Sequence, residues 1–282
     1  MNIGVNFFGP KHKLYCDFDG TLEILKKKGI TAAELCVAFA GNGEPPEALN
    51  MNVPAEFLRS ASGGIWSLDA AEERLQRVRD HGFTVLSCHA MLGFQFTSAL
   101  LLEQLPILLK FGQENGIRYY VISPMKDLEG IKALTPAIRQ ASDALAVAGI
   151  TLLLHNHEME CMEQDGATAL DYILEHCPNL GLELDVGWAR FAGADPVALM
   201  KKYGSRIPLL HFKDVSADAC AANRDTCFTA VGEGSIPLKE IMAEVPNCAI
   251  IEHGLIIDQD DSPTDILDDL GRGAANIRAA AQ

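Results

Sequence analysis

The feature that most constrains the fold of this chain is a regular alternation of short apolar strands and helices. Eight strand patterns occur along the 282 residues, and helical patterns separate them. The predicted strands span residues 2–8, 33–39, 83–88, 117–122, 151–154, 180–184, 207–210 and 249–251. Strands that are separated by helices pair in parallel, because a parallel connection needs a crossover of helical length. Eight such units without a linker predict one (β/α)₈ barrel, a single α/β domain over residues 1–282.

A doubly wound open sheet is the alternative arrangement of alternating strands and helices. Its usual signature is a glycine-rich GxGxxG loop near the first strand, which binds phosphate. This chain has no such loop. The absence favours the barrel.

The composition narrows the possible partners and compartments. A net charge of −15 and a pI near 4.9 argue against nucleic acid as a partner, because phosphate backbones bind clustered Lys and Arg. No apolar run approaches the ~20 residues that span a bilayer, and no signal-peptide pattern opens the sequence. The eight cysteines include no CxxC pair, although Cys220 and Cys227 share one loop and could pair. We expect a reduced, cytoplasmic protein whose partner is a small molecule, either as a monomer or as a homo-oligomer.

Four consecutive strand patterns end in imidazole or carboxylate side chains. The fifth pattern runs into His155, the sixth into Asp185, the seventh into His211 and the eighth into Glu252. In a parallel barrel the C-terminal ends of the strands meet at one rim, and the loops of that rim build the active site. We therefore expect these side chains to converge.

A mixed set of carboxylates and one imidazole indicates a divalent cation. The predicted metal ligands are Glu160, Asp185, His211 and Glu252. Such a set suits Mn²⁺ best, with Mg²⁺, Co²⁺ or Zn²⁺ as alternatives, because structural zinc prefers thiolates and imidazoles. A hard cation can hold two neighbouring sugar oxygens while a nearby carboxylate moves a proton. Each acid by itself is also explained as a solvated loop residue, and Glu158 and Glu163 are alternatives to Glu160.

Two histidines at the end of the fifth strand are candidates for contact with substrate or metal. His155 and His157 are two residues apart, so they face the same side of an extended strand, and Asn156 faces the other. A hydrogen-bonded core pair is the alternative interpretation. Imidazoles beside carboxylates at a strand end favour the functional one. His89, at the end of the third strand, is a further candidate on position alone.

Two residues that follow the candidate ligands suggest a sugar-binding wall. Trp188 could stack on a sugar or pack in the core. Lys213 could neutralise a substrate oxyanion or pair with Asp214. We treat both as candidate substrate-binding residues.

Five motifs occur in the order typical of one enzyme superfamily. They are HNHEME (155–160), ELDVGW (183–188), LLHFKD (209–214), VGEG (231–234) and IIEHG (250–254). From about residue 83 onward the chain resembles the xylose-isomerase-like TIM barrels, within them the sugar phosphate isomerase/epimerase group. That group includes ketose 3-epimerases, inosose dehydratase and hydroxypyruvate isomerase. The resemblance implies a divalent metal held by Glu, Asp, His and Glu from strands five to eight, which assigns Asp185, His211 and Glu252.

The fifth strand departs from the epimerase pattern. The epimerases carry their ligand glutamate inside the strand, roughly where Leu153 or His155 stands, whereas the HNHxxE variant supplies Glu160 or one of the histidines. Relatives with this variant act as dehydratases, or as lyases on 3-keto sugars. The resemblance therefore implies a metal-dependent isomerase or epimerase of a small ketose, polyol or keto sugar, with a lyase or dehydratase as the alternative. Proton abstraction beside a carbonyl would fall to Glu252, Glu160 or His157.

Two other functions share this fold. A DNA-repair endonuclease would need a fuller set of metal ligands and a basic groove, which the net charge of −15 disfavours. A non-catalytic sugar-binding subunit would keep the barrel without the chemistry. Metal analysis separates that second possibility from the enzymes.

Overall fold

The chain forms a closed barrel of eight parallel strands. The structure is a computed structural model that describes residues 2–39, 61–92, 96–216 and 228–282. The barrel strands are β1 (Ile3–Asn6), β2 (Ile30–Ala38), β3 (Thr84–Met91), β4 (Tyr119–Ile122), β5 (Thr151–His155), β6 (Leu180–Asp185), β7 (Leu209–Phe212) and β8 (Leu255–Ile257). Each strand pairs in parallel with the next, and β8 pairs with β1 to close the ring. The predicted (β/α)₈ barrel is confirmed.

Helices connect and surround the strands of the barrel. They are α1 (Lys11–Cys16), α2 (Phe18–Lys27), α3 (Leu68–Asp80), α4 (Ser98–Asn115), α5 (Leu128–Val147), α6 (Glu158–Cys161), α7 (Ala169–His176), α8 (Val186–Phe191), α9 (Pro196–Tyr203), α10 (Leu238–Glu244) and α11 (Ile266–Ala280). Residues that commonly begin and end helices lie at the ends of these helices. The Asp127 side chain accepts the Gly130 N–H at the start of α5, and Gly116 ends α4 at φ +65°. Among the described helices, none has the length and apolar character that crossing a membrane requires.

Further short strands lie outside the ring of eight barrel strands. Ile65–Ser67 pairs in parallel with the C-terminal part of β2. Two antiparallel pairs join Glu163–Gln164 to Ala167–Thr168 and Asp214–Val215 to Phe228–Thr229. The second pair follows β7, so it extends the chain at the rim that carries the polar strand ends.

The barrel interior changes from apolar to polar in a single step. An apolar layer is formed by Ala32, Leu86, Val121, Leu153, Leu209 and Ile256. Because side chains of a strand alternate between its two faces, the next inward position lies two residues further on. On β2, β5, β7 and β8 those positions hold Glu34, His155, His211 and Asp258, all buried. Inside the barrel, a layer of polar side chains therefore lies directly next to the apolar layer, on the side of the strand C-termini.

The predicted position of the eighth strand is wrong. Residues 249–251 lie before the strand, and the Ile251 N–H donates to the Pro208 carbonyl. A turn follows, in which the Gly254 N–H donates to the Ile251 carbonyl and His253 adopts a φ of +68°. The strand begins only at Leu255. Glu252 therefore lies before β8, at the N-terminal end of the barrel.

The described cysteines are free thiols: Cys16, Cys36, Cys88, Cys161, Cys177 and Cys248. Cys36 and Cys88 are fully buried within strands β2 and β3, where they act as small apolar side chains. Cys220 and Cys227, whose pairing the sequence leaves open, lie outside the described residues.

Candidate active site

Four buried side chains converge at the C-terminal end of the barrel. His155 ends β5, Asp185 ends β6, His211 lies in β7 and Asp258 follows β8. One ligand atom of each residue lies within 4.8 Å of those of the other three. Two imidazoles and two carboxylates on neighbouring strands offer the nitrogen and oxygen donors that divalent transition metals bind. We name these four residues the rim cluster.

Asp185 is placed by two sets of local hydrogen bonds. Its Oδ1 accepts the Trp188 N–H at 2.7 Å and so caps helix α8. Asn156 joins β5 to β6, because its Nδ2 donates to the Asp185 carbonyl and its Oδ1 accepts the Asp185 N–H. Oδ2 of Asp185 remains, buried and without a hydrogen bond in the described part of the chain. That oxygen is available to a cation.

A second polar group lies against the rim cluster, on β2, β3 and β6. Glu34, His89 and Glu183 bring one ligand atom each within 4.8 Å of one another. Both oxygens of Glu34 are occupied: Oε1 accepts from the Asn6 amide at 2.7 Å and Oε2 from the Ser87 hydroxyl at 2.5 Å. Glu34 is thus the centre of a hydrogen-bonded network rather than an open ligand.

The electrostatics of the barrel centre favour a cation. Four buried carboxyl groups, Glu34, Glu183, Asp185 and Asp258, share this space with Lys213 as the buried lysine. Burial raises the pKa of Asp185 to about 7, because isolating a carboxylate from water disfavours its charge. Buried acids in excess of buried lysine are stabilised by a bound divalent ion. The four residues of the rim cluster, with Oδ2 of Asp185 free of hydrogen bonds in the described part of the chain, therefore fit a divalent metal ion.

The two imidazoles of the rim cluster have opposite pKa shifts. Burial opposes the charging of His211, but the Glu183 and Glu34 carboxylates outweigh burial and raise its pKa well above the ordinary value. Burial and neighbouring imidazoles lower the pKa of His155 well below its ordinary value. His155 is therefore neutral at physiological pH, which is the form that ligates metals.

Lys213 lies at the wall of the site with its ammonium group buried. Its Nζ is 3.1 Å from Oδ2 of Asp258 and 2.9 Å from Oδ2 of Asp260. The same nitrogen lies 5.5 Å from the ring centroid of Trp188 and 4.9 Å from that of Phe228. The pairing with Asp214 that the sequence left open is wrong. Lys213 pairs instead with the acids that follow β8.

Asp214 organises the loop that carries the VGEG motif. Its Oδ2 accepts the N–H groups of Gly232 and Gly234, and its Oδ1 accepts those of Ser235 and Ile236. Its side chain thus fastens this loop to the C-terminal end of β7.

The structure brings most of the predicted site residues together. The ring of His155 lies 5.0 Å from that of His157 and 5.5 Å from that of His89. His157 in turn packs against Trp188 in a tilted arrangement, with ring centroids 5.5 Å apart and planes 30° apart. His89 and His157 thus lie next to His155 of the rim cluster, and Trp188 lies beside His157.

Two predicted ligands are not brought to the cluster. Glu160 is fully buried, but its Oε1 accepts the Lys126 N–H at 2.8 Å and its Oε2 the His157 N–H at 3.0 Å. Its carboxylate thus caps helix α6. The side chain of Glu252 is 86% exposed and lies 3.5 Å from His253. Asp258 and His155 occupy the places that these two acids were expected to fill.

Three buried acids at the candidate site were not predicted from the sequence, although a pattern in the sequence pointed to each of them. Asp258 ends the apolar triplet 255–257, the same pattern that singled out His211. Glu34 interrupts a predicted apolar strand, and Glu183 precedes Asp185 by two residues, on the same face of β6. An acidic residue at an inward position of a buried strand indicates a functional site, because burying a charge is costly unless the charge is paired or binds a metal.

Comparisons with known proteins agree with this architecture. The family model of the xylose isomerase-like TIM barrel matches residues 22–252. The rhizopine catabolism protein MocC of Rhizobium meliloti is 28% identical over 144 residues, which cover 46% of this chain and 44% of that protein. An inosose dehydratase of Geobacillus kaustophilus (strain HTA426) is 30% identical over 127 residues, covering 40% of this chain and 41% of that protein. Each match therefore spans less than half of the relative.

Solved structures share the whole barrel. A sugar phosphate isomerase/epimerase from Parabacteroides distasonis has a TM-score of 0.75 and 18% identity, and the match covers 100% of this chain and 95% of that one. The IolI protein, solved with a bound zinc atom, has a TM-score of 0.69 and 13% identity, covering 100% and 98%. These likenesses show the fold. Since the family model spans most of the residues and the barrel is closed, the chain belongs to the xylose isomerase-like TIM barrel family.

Proposed function

We propose that this chain is a divalent-metal-dependent enzyme that moves a proton beside the carbonyl group of a small ketose, polyol or keto sugar, as an isomerase or epimerase. The observation that carries the proposal is the convergence of the rim cluster at the C-terminal end of the barrel. A divalent cation held there by His155, Asp185, His211 and Asp258 would polarise a carbonyl and an adjacent hydroxyl of the substrate. Mn²⁺ remains our preferred ion, with Mg²⁺, Co²⁺ and Zn²⁺ as alternatives. The zinc of the IolI protein and the second imidazole found here both strengthen the case for Zn²⁺.

Residues around the cluster supply binding and proton transfer. Lys213 presents a buried positive charge that would stabilise a substrate oxyanion. Trp188 offers a ring face for a sugar, and His89, whose Nε2 lies 2.8 Å from the Ser123 hydroxyl, offers a polar contact. His157 is our candidate for the proton carrier, because an imidazole can accept and return a proton near neutral pH.

Glu160 has a different role from the one expected from the sequence. Its Oε2 holds the His157 N–H, so it positions the backbone beside the proposed proton carrier. Glu252 lies at the other end of the barrel strands and takes no part in the proposed reaction.

The proposal is tested by metal analysis followed by solvent exchange. The purified protein should bind one equivalent of Mn²⁺ or Zn²⁺. Incubation of the metal-loaded enzyme with candidate ketoses in D₂O should place deuterium on a carbon next to the carbonyl. Absence of metal binding would contradict the site. Turnover with complete retention of hydrogen would show a hydride shift and contradict the proton-transfer mechanism.

Dehydration of a keto sugar or inosose is the second candidate. The observation that favours it is the donor set of the rim cluster, which contains Asp and His rather than a pair of glutamates at the ends of β5 and β8. One of the curated relatives is named an inosose dehydratase. Mass spectrometry of the products distinguishes the two reactions, because only dehydration lowers the product mass by one water.

A further inference from the structure

Glu183 lies between the two imidazoles of the rim cluster. It is fully buried on β6, two residues before Asp185, so both side chains face the barrel interior. Its Oε2 is 3.1 Å from Nδ1 of His155, and its Oε1 is 3.1 Å from Nε2 of His211. The two rings lie 4.9 Å apart, centroid to centroid. One carboxyl group therefore touches both rings, with one oxygen for each.

The remaining nitrogen of each ring faces an aspartate of the cluster. Nε2 of His155 lies 3.9 Å from Oδ2 of Asp185, and Nδ1 of His211 lies 3.3 Å from Oδ2 of Asp258. A neutral imidazole carries one N–H donor and one lone pair. A carboxylate that accepts the N–H from one side forces the lone pair to the other.

Glu34 is the other carboxylate near Nε2 of His211, but both of its oxygens already accept hydrogen bonds. Its Oε1 is 3.3 Å from Nε2 of His211 and accepts from the Asn6 amide at 2.7 Å. Oε1 of Glu183 and Nε2 of His211 are buried, and neither forms a hydrogen bond in the described part of the chain. At 3.1 Å, Oε1 of Glu183 is closer to this nitrogen than Oε1 of Glu34 is, so we assign it as the acceptor for the Nε2 proton.

We propose that Glu183 is the positioning residue of the metal centre: it accepts Nδ1–H of His155 and Nε2–H of His211, and so directs Nε2 of His155 and Nδ1 of His211 to the cation. This inference rests on the proposed metal site. A single side chain thereby sets the tautomer and orientation of both nitrogen ligands. Outer carboxylates of this kind contribute about 10–100-fold to metal affinity.

The tautomers are measured directly on the wild-type protein. Long-range ¹⁵N–¹H spectra of the Zn²⁺-loaded protein should show a proton on Nδ1 of His155 and on Nε2 of His211. Coordination of His155 through Nδ1, or of His211 through Nε2, would overturn the proposal. This measurement does not depend on the folding of any variant.

The variant Glu183→Gln tests the energetic role. The amide keeps the side-chain volume but has one acceptor oxygen, so it can accept an N–H from only one imidazole. We expect affinity for Mn²⁺ and Zn²⁺, measured by calorimetry, to fall about 10–100-fold, with the stoichiometry unchanged and at least one of the two N–H signals lost.

Glu34→Gln is the matched control. It removes a carboxylate that is equally buried and also close to His211, but Glu34 pairs with His89 and His211, not with His155. The Nδ1–H signal of His155 should persist in this variant. Unchanged metal affinity in Glu183→Gln would overturn the role of Glu183 alone, whereas a wild-type protein that binds neither ion would overturn the metal site as well.

Discussion

At the scale of single residues, the acid that follows β8, and not the acid that precedes it, lies in the rim cluster. Asp258 lies 3.3 Å from Nδ1 of His211 and 3.1 Å from Nζ of Lys213. Glu252, only six positions earlier, is exposed at the other end of the strand. Both side chains are acidic, so their position before or after the strand, and not their charge, shows which of them lies at the candidate site.

We predict that Asp258→Asn lowers Mn²⁺ affinity at least about tenfold, because the amide removes a charged oxygen ligand and leaves the cation less neutralised. Glu252→Gln should leave the affinity unchanged. Equilibrium dialysis with elemental analysis measures both. The opposite pattern, with metal lost in Glu252→Gln and retained in Asp258→Asn, would show that the ligand assignment is wrong.

At the scale of elements, the rim loops are held by side chains that satisfy backbone N–H groups. Asp214 is 1% exposed and accepts four N–H groups from the loop between residues 232 and 236. It also accepts the N–H of Val215. These bonds connect the end of β7, which carries His211 and Lys213, to the segment that precedes α10.

We predict that Asp214→Asn destabilises the protein by about 1–3 kcal/mol, because the amide nitrogen faces N–H donors that then lack an acceptor. Urea unfolding measures this change. Asp80→Asn is the control: Asp80 is exposed and its Oδ1 accepts from the Gln76 amide, so its effect should stay within about 0.5 kcal/mol. Equal stability of the two variants would contradict the proposed role of Asp214.

At the scale of the whole molecule, the buried charges of the barrel centre link stability to pH. Burial raises the pKa of Asp185 to about 7, and burial together with Glu34 raises that of Glu183 well above its ordinary value. The pKa of His211 is also raised, because Glu183 and Glu34 outweigh its burial. Above the ordinary histidine pKa of 6.5, the folded state thus binds more protons than the unfolded chain. The lowered pKa of His155 opposes this trend near and below 6.5, where the unfolded chain protonates this imidazole, and its effect fades as the pH rises.

We therefore predict that the free energy of unfolding of the metal-free protein falls as the pH rises from about 6.5 to about 8.5, by up to about 1.4 kcal/mol per pH unit for each excess proton. The Tm should fall with it. Saturating Mn²⁺ should raise the Tm most at the high end of this range, because a cation binds deprotonated ligands. Scanning calorimetry at constant ionic strength measures both effects. If the Tm of the metal-free protein stays constant or rises over this range, the raised pKa values of Asp185, Glu183 and His211 are wrong.

The sequence by itself determined the fold and the positions of three residues of the rim cluster. Alternation of strands and helices specifies a parallel barrel, because each helix is long enough to return the chain for parallel pairing. Asp185 ends one strand that the sequence predicts and His211 follows the apolar start of another, so their position at the rim follows from the strand pattern. The HNHEME motif likewise places His155 at the end of β5.

The tertiary structure decided which acids meet those residues. Two apolar triplets flank residues 252–254, and only the turn with His253 at φ +68° shows that the second one forms β8. Glu160 looks like a ligand in the sequence, yet backbone N–H groups from two loops occupy both of its oxygens. Glu34, Glu183 and His211 come from strands far apart in the chain and meet only because the barrel closes. Local patterns encode strands and their faces, whereas the pairing of buried charges depends on distances that closure of the barrel creates.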